Sequence, residues 1–255
     1  MTQKRIAIVT GVTRLKGIGK AICVELARQH TDIFFTFFRE YDKTMPWGVE
    51  DDEPDRIQEE IRTMGVQCEK MELDLSRTES VALLFDKTEQ LLGSSSILVN
   101  NAAYSTDTSI DTLTSDELDK HYFVNQRGSI LLSQEFVRRF NKKKHGRIIN
   151  MTTGQSLGAM ENEIAYAVTK AALEAFTRHI QHAIAHKNIT INTVNPGMTD
   201  TGWMDDSTKK EFIRLCPKGR FGEPEDAARL VGFLASEKAD WISGQIIHSE
   251  GGFFR

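Results

Sequence analysis

The chain has 255 residues, 32 basic and 36 acidic side chains, a formal charge of −4 at pH 7, 40% hydrophobic residues and 14 phenylalanines. This composition excludes a disordered chain, which pairs low hydrophobicity with high net charge, and a nucleic-acid binder, which carries a strong basic excess. Three cysteines (Cys23, Cys68, Cys216) are too few for a disulfide framework and fit a reducing cytoplasm, and the length suits one α/β domain over residues 1–255.

The first residues, MTQKRIAIVTG, lead straight into a β-rich segment with no leader pattern. The longest apolar stretch, Ile33 to Phe38, is interrupted by Thr36. It falls far short of the roughly 20 apolar residues of a membrane span. The expectation is a cytoplasmic protein that contacts neither membrane nor nucleic acid.

Apolar, β-branched runs alternate with segments of helical period. Strands are predicted at Ile6–Val9, Ile33–Phe38, Gln67–Leu73, Ile97–Val99, Arg147–Met151, Ile189–Val194 and Gln245–His248. Helices are predicted at Ile18–Gln29, Asp55–Met64, Glu79–Leu92, Ser115–Phe140, Glu163–His186 and Pro224–Ala235. That rhythm predicts βαβ units and a parallel sheet covered on both faces, a doubly wound α/β fold of about seven strands. Ser76…Glu79 and Thr114…Glu117 read as capping boxes, and Gly93 and Gly146 as helix stops. Two segments break the rhythm. Residues 41–54 (YDKTMPWGVEDDEP) read as a polar surface excursion, and residues 199–217 as either a flap over a pocket or an ordinary insertion. Lys142–Lys144 reads as a solvated helix end.

The first strand runs into Thr10-Gly11-Val12-Thr13-Arg14-Leu15-Lys16-Gly17-Ile18-Gly19 and then a helix. Glycines there let a pyrophosphate approach the backbone, and the helix N-terminus offers it free N–H groups. A phosphate loop of the nucleotide-hydrolase type is excluded, because five residues separate Gly11 from Gly17 and Lys20 is followed by Ala21. The second strand ends Phe37-Phe38-Arg39-Glu40. An arginine suits the 2′-phosphate of NADP and a carboxylate the ribose of NAD. Arg39 together with Arg14 and Lys16 favours NADP(H).

Tyr166 and Lys170 stand at i and i+4 on one predicted helix face. A fixed cation beside a phenol favours phenolate, which suits proton exchange with an alcohol oxygen. The Thr153 hydroxyl, just past a strand, is placed to hydrogen-bond a substrate oxygen. Asn125 is a polar residue amid an apolar helical stretch. Gln155, Met160, Tyr104 and Trp203 read as pocket-lining or as plain packing. His179, His182 and His186 share a helix face but lack a local carboxylate, so no metal is expected.

Taken together, these pieces resemble the short-chain dehydrogenase/reductase family over nearly the whole chain. The matching residues are the Thr10-Gly11…Gly17-Ile18-Gly19 turn, Asp74-Leu75, Asn100-Asn101-Ala102-Ala103, Asn125, Thr153, Tyr166…Lys170, Asn195-Pro196-Gly197 and Gly251-Gly252. The resemblance implies a Rossmann-type oxidoreductase with Tyr166 as general acid or base and Lys170 as its modulator and a ribose ligand. It further implies that Asn125 holds a relay water, that Asp74 meets the adenine, and that Asn101 and Ala102 wall the adenosine ribose. The segment from Pro196 and Gly197 to Thr199 would clamp the nicotinamide.

Three positions depart from the pattern. The glycine turn is two residues longer, Ala103 replaces a glycine, and Thr153 replaces a serine, which leaves Thr153 or Ser156 as the substrate-orienting hydroxyl. The expected activity is NADPH-dependent reduction of a ketone, resembling the 3-oxoacyl-carrier-protein reductases, in a homodimer or homotetramer. The alternatives are an NAD-dependent alcohol or sugar dehydrogenase and a non-catalytic dinucleotide-binding regulator.

Overall fold

The computed structural model describes residues 5–140 and 145–253, so the Lys142–Lys144 run lies outside the described residues. Seven parallel strands form one sheet in the order β3-β2-β1-β4-β5-β6-β7. The strands are β1 (Arg5–Val9), β2 (Thr31–Phe37), β3 (Cys68–Glu72), β4 (Ile97–Asn100), β5 (Gly146–Met151), β6 (Ile189–Asn195) and β7 (Ile246–His248). All seven sequence-predicted strands are present, with ends shifted by one or two residues.

Alternation along each strand sends side chains to two separate cores. Ala7, Val9, Ile33, Phe35, Ile97 and Val99 pack in one. Ile6, Ile8, Phe34, Leu98 and Ile148 pack in the other. The first core is closed by α1 (Ile18–Arg28), with α3 (Glu53–Thr63) and α9 (Pro224–Ala235) beside it. The second is closed by α4 (Glu79–Leu91), α6 (Ser129–Arg139) and α7 (Ile164–Ala185). β2, β4, β5 and β6 are buried throughout, whereas the edge strands β3 and β7 are partly open.

The predicted helix Ser115–Phe140 is three pieces: α5 (Ser115–His121), a π-helical turn at Tyr122–Gly128, and α6. Two short helices carry no apolar period in the sequence, α2 (Arg39–Lys43) and α8 (Asp206–Phe212). Within the 199–217 segment, α8 is followed by a 3₁₀ turn at Ile213–Leu215. Ser76 caps nothing: α4 starts after Thr78 without a side-chain cap, and the Ser76 N–H donates to Asp74 Oδ1 at 2.8 Å. The Thr114 hydroxyl does accept from the Glu117 N–H at 3.2 Å, but the Glu117 carboxylate turns to the Thr106 hydroxyl. Gly146 opens β5 rather than stopping a helix; a Cβ there would stand 2.8 Å from Ile189 Cγ1.

Strand order reverses between β1 and β4, and ligands of open α/β sheets bind beyond the carboxyl ends at such a point. Gly11 follows β1 and Ala102 follows β4.

Candidate active site

At the switch point the two strand ends touch. Gly11 has φ +72°, and a Cβ on it would stand 2.5 Å from Ala102 Cα. Gly19 is as tightly held: a Cβ on it would stand 2.8 Å from both the Gly11 carbonyl oxygen and Asn101 Nδ2. The Asn101 amide donates to the Thr10 and Gly11 carbonyls at 2.9 Å, so its side chain braces the turn. Gly17 caps α1 with no side-chain hydrogen bond, and Ile18 and Gly19 open the helix. The crowded glycine turn and the uncapped helix end fit the pyrophosphate of a dinucleotide.

The three cations do not converge. Arg14 Nη1 donates to the Thr201 carbonyl at 3.1 Å, its Nε lies 3.7 Å from Asp42, and its guanidinium lies 4.2 Å from the centre of the Trp47 ring. Lys16 is exposed, beside Gly202. Arg39 forks onto Glu72, with Nη2–Oε2 2.5 Å and Nε–Oε1 3.2 Å, and reaches Asp51 at 3.4 Å. The expectation that Arg14, Lys16 and Arg39 meet one phosphate is therefore corrected. Buried Asp42 draws Arg14 toward residues 41–54, leaving Arg39 as the cation at the end of β2. Asp74 sits after β3, and the Leu75 side chain is buried in the second core, so only its backbone can face a nucleotide.

On the other side of the switch point stand β5, β6 and α7. Tyr166 and Lys170 occupy successive turns of α7, and Lys170 Nζ lies 5.4 Å from the Tyr166 ring centre. Lys170 is 2% exposed and donates to the Met151 carbonyl at 2.9 Å. Burial lowers its pKa to about 8. Burial, then the nearby Glu163 carboxylate and Tyr41 phenol, push the Tyr166 pKa up.

Asn125 lies fully buried in the π turn. Its Oδ1 accepts from the Tyr104 N–H at 2.7 Å, and its Nδ2 donates to the Tyr104 carbonyl at 2.8 Å and to Thr169 Oγ1 at 3.1 Å. The side chain thus clamps the segment after β4.

Thr153 follows β5, and its hydroxyl has only a 3.9 Å contact with Met160 Sδ. Ser156 instead donates to Glu174 at 3.4 Å, and Gln155 to the same carboxylate at 2.7 Å. Ser156 and Gln155 are thus drawn toward α7, while Thr153 stays the less engaged hydroxyl. Gly197 (φ +69°) and Pro196 follow β6, and a Cβ on Gly197 would stand 2.3 Å from Glu250 Cβ. Thr199 is buried, with its hydroxyl on the Pro196 carbonyl at 3.1 Å, and its own carbonyl accepts from the Trp203 indole at 3.0 Å. The Trp203 ring is 44% exposed.

Sequence reasoning missed Tyr41, Asp42, Glu163 and Glu174. Only the length of the 41–54 excursion hinted that something there had work to do.

The family profile described as enoyl-(acyl carrier protein) reductase matches residues 11–254. The chain belongs to the short-chain dehydrogenase/reductase family. Along essentially its whole length it is 46% identical to the uncharacterized oxidoreductase YjdA of Bacillus subtilis (strain 168), covering 98% of that protein. It is 34% identical to the 3-oxoacyl-[acyl-carrier-protein] reductase FabG of Pseudomonas aeruginosa, covering 99% of this chain and 98% of that one. Among solved structures, a short-chain dehydrogenase/reductase from Serratia marcescens BCRC 10948 superposes with a TM-score of 0.86 at 27% identity, over 98% of both chains. The protein is an NAD(P)-dependent oxidoreductase of this family. No described helix is long and apolar enough to cross a membrane.

Proposed function

We propose that the protein reduces a ketone, of the 3-oxoacyl thioester class, to the secondary alcohol with NADPH. The observation that carries this reading is the half-buried Tyr166 phenol, one helical turn from Lys170 and beside the β5 end that bears Thr153. The names of the 3-oxoacyl-carrier-protein reductase relatives support the substrate class.

Gly11, Thr13, Gly17, Ile18 and Gly19 would hold the pyrophosphate, Asp74, Asn101 and Ala102 the adenosine end, and Pro196, Gly197 and Thr199 the nicotinamide. The bound reduced dinucleotide supplies the hydride. Thr153 donates a hydrogen bond that orients the ketone oxygen, and Tyr166 donates its proton to the developing alkoxide. Lys170, held by the Met151 carbonyl, places a positive charge near the resulting phenolate. Arg39 favours the 2′-phosphate, in competition with Glu72 and Asp51. The same reading makes the protein a cytoplasmic homodimer or homotetramer.

A panel of 3-oxoacyl thioesters and simple ketones, assayed with NADPH and NADH, tests the proposal. The expected result is reduction with NADPH preferred and a fall of about 10²–10⁴-fold in Tyr166→Phe, with dinucleotide affinity unchanged. A clear NADH preference overturns the cofactor assignment, and dinucleotide binding without any turnover overturns the enzymatic reading in favour of a regulator.

A further inference from the structure

The segment that carries Thr153 is fastened to α7 chiefly through Glu174. Glu174, only 5% exposed, stands one turn beyond Lys170. Its Oε1 accepts from Gln155 Nε2 at 2.7 Å, and the hydroxyls of Thr152 and Ser156 lie 3.2 Å and 3.4 Å from the same oxygen. The Thr152 hydroxyl also lies 3.3 Å from the Lys170 carbonyl. These partners are neutral, and all three carboxylate partners come from the five-residue stretch 152–156 that surrounds Thr153.

Burying a carboxylate costs free energy unless hydrogen bonds offset it. A core position needing only packing would be filled by an aliphatic side chain of similar size. Here the carboxylate gathers the donors on either side of Thr153, leaving the Thr153 hydroxyl with no stronger partner than Met160 Sδ at 3.9 Å. Threonine has a stiff χ1, so the direction of its hydroxyl follows the backbone that carries it.

We infer that Glu174 is a positioning residue: it latches residues 152–156 to the helix of Tyr166 and Lys170, and so fixes the Thr153 hydroxyl against the ketone oxygen. The inference rests on the proposed reaction for its catalytic consequence, while the latch itself is a property of the chain. Glu174 does not touch the reacting atoms.

The test compares Glu174→Ala, Glu174→Gln and Gln155→Ala with the wild type in three measurements. These are ketone kinetics, dinucleotide affinity by fluorescence, and hydrogen–deuterium exchange over residues 152–160. Misplacing a positioning group by about 1 Å costs up to about 10²-fold in rate. Glu174→Ala is therefore expected to lower kcat/KM for the ketone about 10- to 100-fold, to speed exchange over 152–160, and to leave dinucleotide affinity unchanged. Glu174→Gln retains an acceptor oxygen and is expected to recover most of the activity and the protection.

Gln155→Ala removes one arm of the latch without touching α7, and keeps the test decisive if Glu174→Ala does not fold. It is expected to give a smaller loss of the same kind. Unchanged exchange and unchanged ketone kinetics in Glu174→Ala or Gln155→Ala overturn the inference. If the wild type turns over no ketone, the proposed function fails on its own; faster exchange over 152–160 then still supports the latch, and unchanged exchange rejects it.

Discussion

The Arg14 guanidinium lies 4.2 Å from the centre of the Trp47 ring, and the Asp42 carboxylate meets both residues, 3.7 Å from Arg14 Nε and 2.7 Å from the Trp47 indole nitrogen. Arg14 belongs to the lengthened glycine turn and Trp47 to the 41–54 excursion, so the two irregularities of the sequence interlock. The Leu15 N–H donating to Glu53 at 2.9 Å is a second tie between them. From the same excursion, Tyr41 donates to the Ser105 carbonyl at 3.0 Å, beyond β4. Residues 41–53 thus brace the dinucleotide turn from one side and the β4 loop from the other.

Trp47→Ala is expected to remove the ring under Arg14 and the N–H on the buried Asp42 together. A cation–π contact is worth about 0.5–2 kcal/mol, and a charged group losing a hydrogen bond about 1.5–3 kcal/mol. The sum, about 2–5 kcal/mol, corresponds to a melting temperature lower by roughly 5–15 °C in a chain of this size. Dinucleotide binding should weaken in parallel, because the turn that holds the pyrophosphate loses its brace. Thermal unfolding and dinucleotide fluorescence titration check both; a variant that melts like the wild type rejects the brace.

Lys170 gives a pH-dependent prediction. Burial depresses its pKa from the usual 10.5 to about 8. Its contribution to stability is therefore present above the unfolded value and is lost as pH falls through about 8. Lys170→Met cannot titrate, so its stability relative to wild type should be greatest at pH 7 and should decline toward pH 10. The fall from 10.5 to about 8 corresponds to about 3 kcal/mol across the full window. The buried thiols Cys23 and Cys68, whose pKa values burial raises, oppose stability at alkaline pH in both proteins and cancel from the difference. Urea unfolding of the pair at intervals from pH 7 to 10 measures it; a constant difference would sink the idea.

Asn125→Ala should be costly for structural reasons. It leaves the Tyr104 N–H and carbonyl without the partners they now have at 2.7 and 2.8 Å. Each unsatisfied buried group costs about 1–3 kcal/mol, so a loss of roughly 2–5 kcal/mol in unfolding free energy is expected. The Tyr104 ring, packed 5.4 Å from Tyr41 and 4.9 Å from His121, should loosen with it. Asn125→Asp keeps an acceptor for the N–H but no donor for the carbonyl, and should not rescue the loss.

How far the sequence was readable follows from the range of the interactions involved. The strands were legible because fully buried parallel strands are rich in apolar and β-branched residues, as Ile33, Phe34 and Phe35 in β2 and Ile97, Leu98 and Val99 in β4 show. The Tyr166–Lys170 pair and the glycine turn were legible because their geometry is local, one turn of helix or one βα loop. The π turn at Tyr122–Gly128 was not, since shifting the hydrogen-bond step by one residue leaves the composition helical. α2 and α8 are short and polar, with no period to read. The roles of Asp42 and Glu174 were hidden because their partners, Arg14 and Gln155, are distant in sequence and meet them only once the sheet is assembled. The same distance explains why Arg14 and Arg39, neighbours in a reading of phosphate chemistry, end up with separate partners, while Lys16 stays exposed.

Glu163 supplies the last prediction. It caps α7 three residues before Tyr166, and its charge is the second cause, after burial, that raises the Tyr166 pKa. Burial and Asp107 raise the pKa of Glu163 itself, yet in alkaline solution it is ionised and disfavours phenolate nearby. A reaction that needs the protonated phenol loses rate as Tyr166 ionises, so the alkaline limb of ketone reduction marks that ionisation. Glu163→Gln keeps the size of the side chain and removes the charge. Phenolate then forms more readily, and the limb should move to lower pH while the rate at neutral pH changes little. For the reverse reaction, alcohol oxidation, the same variant should gain activity on the alkaline side, because that direction needs the phenolate. The profile of log kcat/KM against pH, recorded in both directions, tests the pair of shifts; a limb that stays in place or moves upward in Glu163→Gln removes Glu163 from the electrostatics of Tyr166.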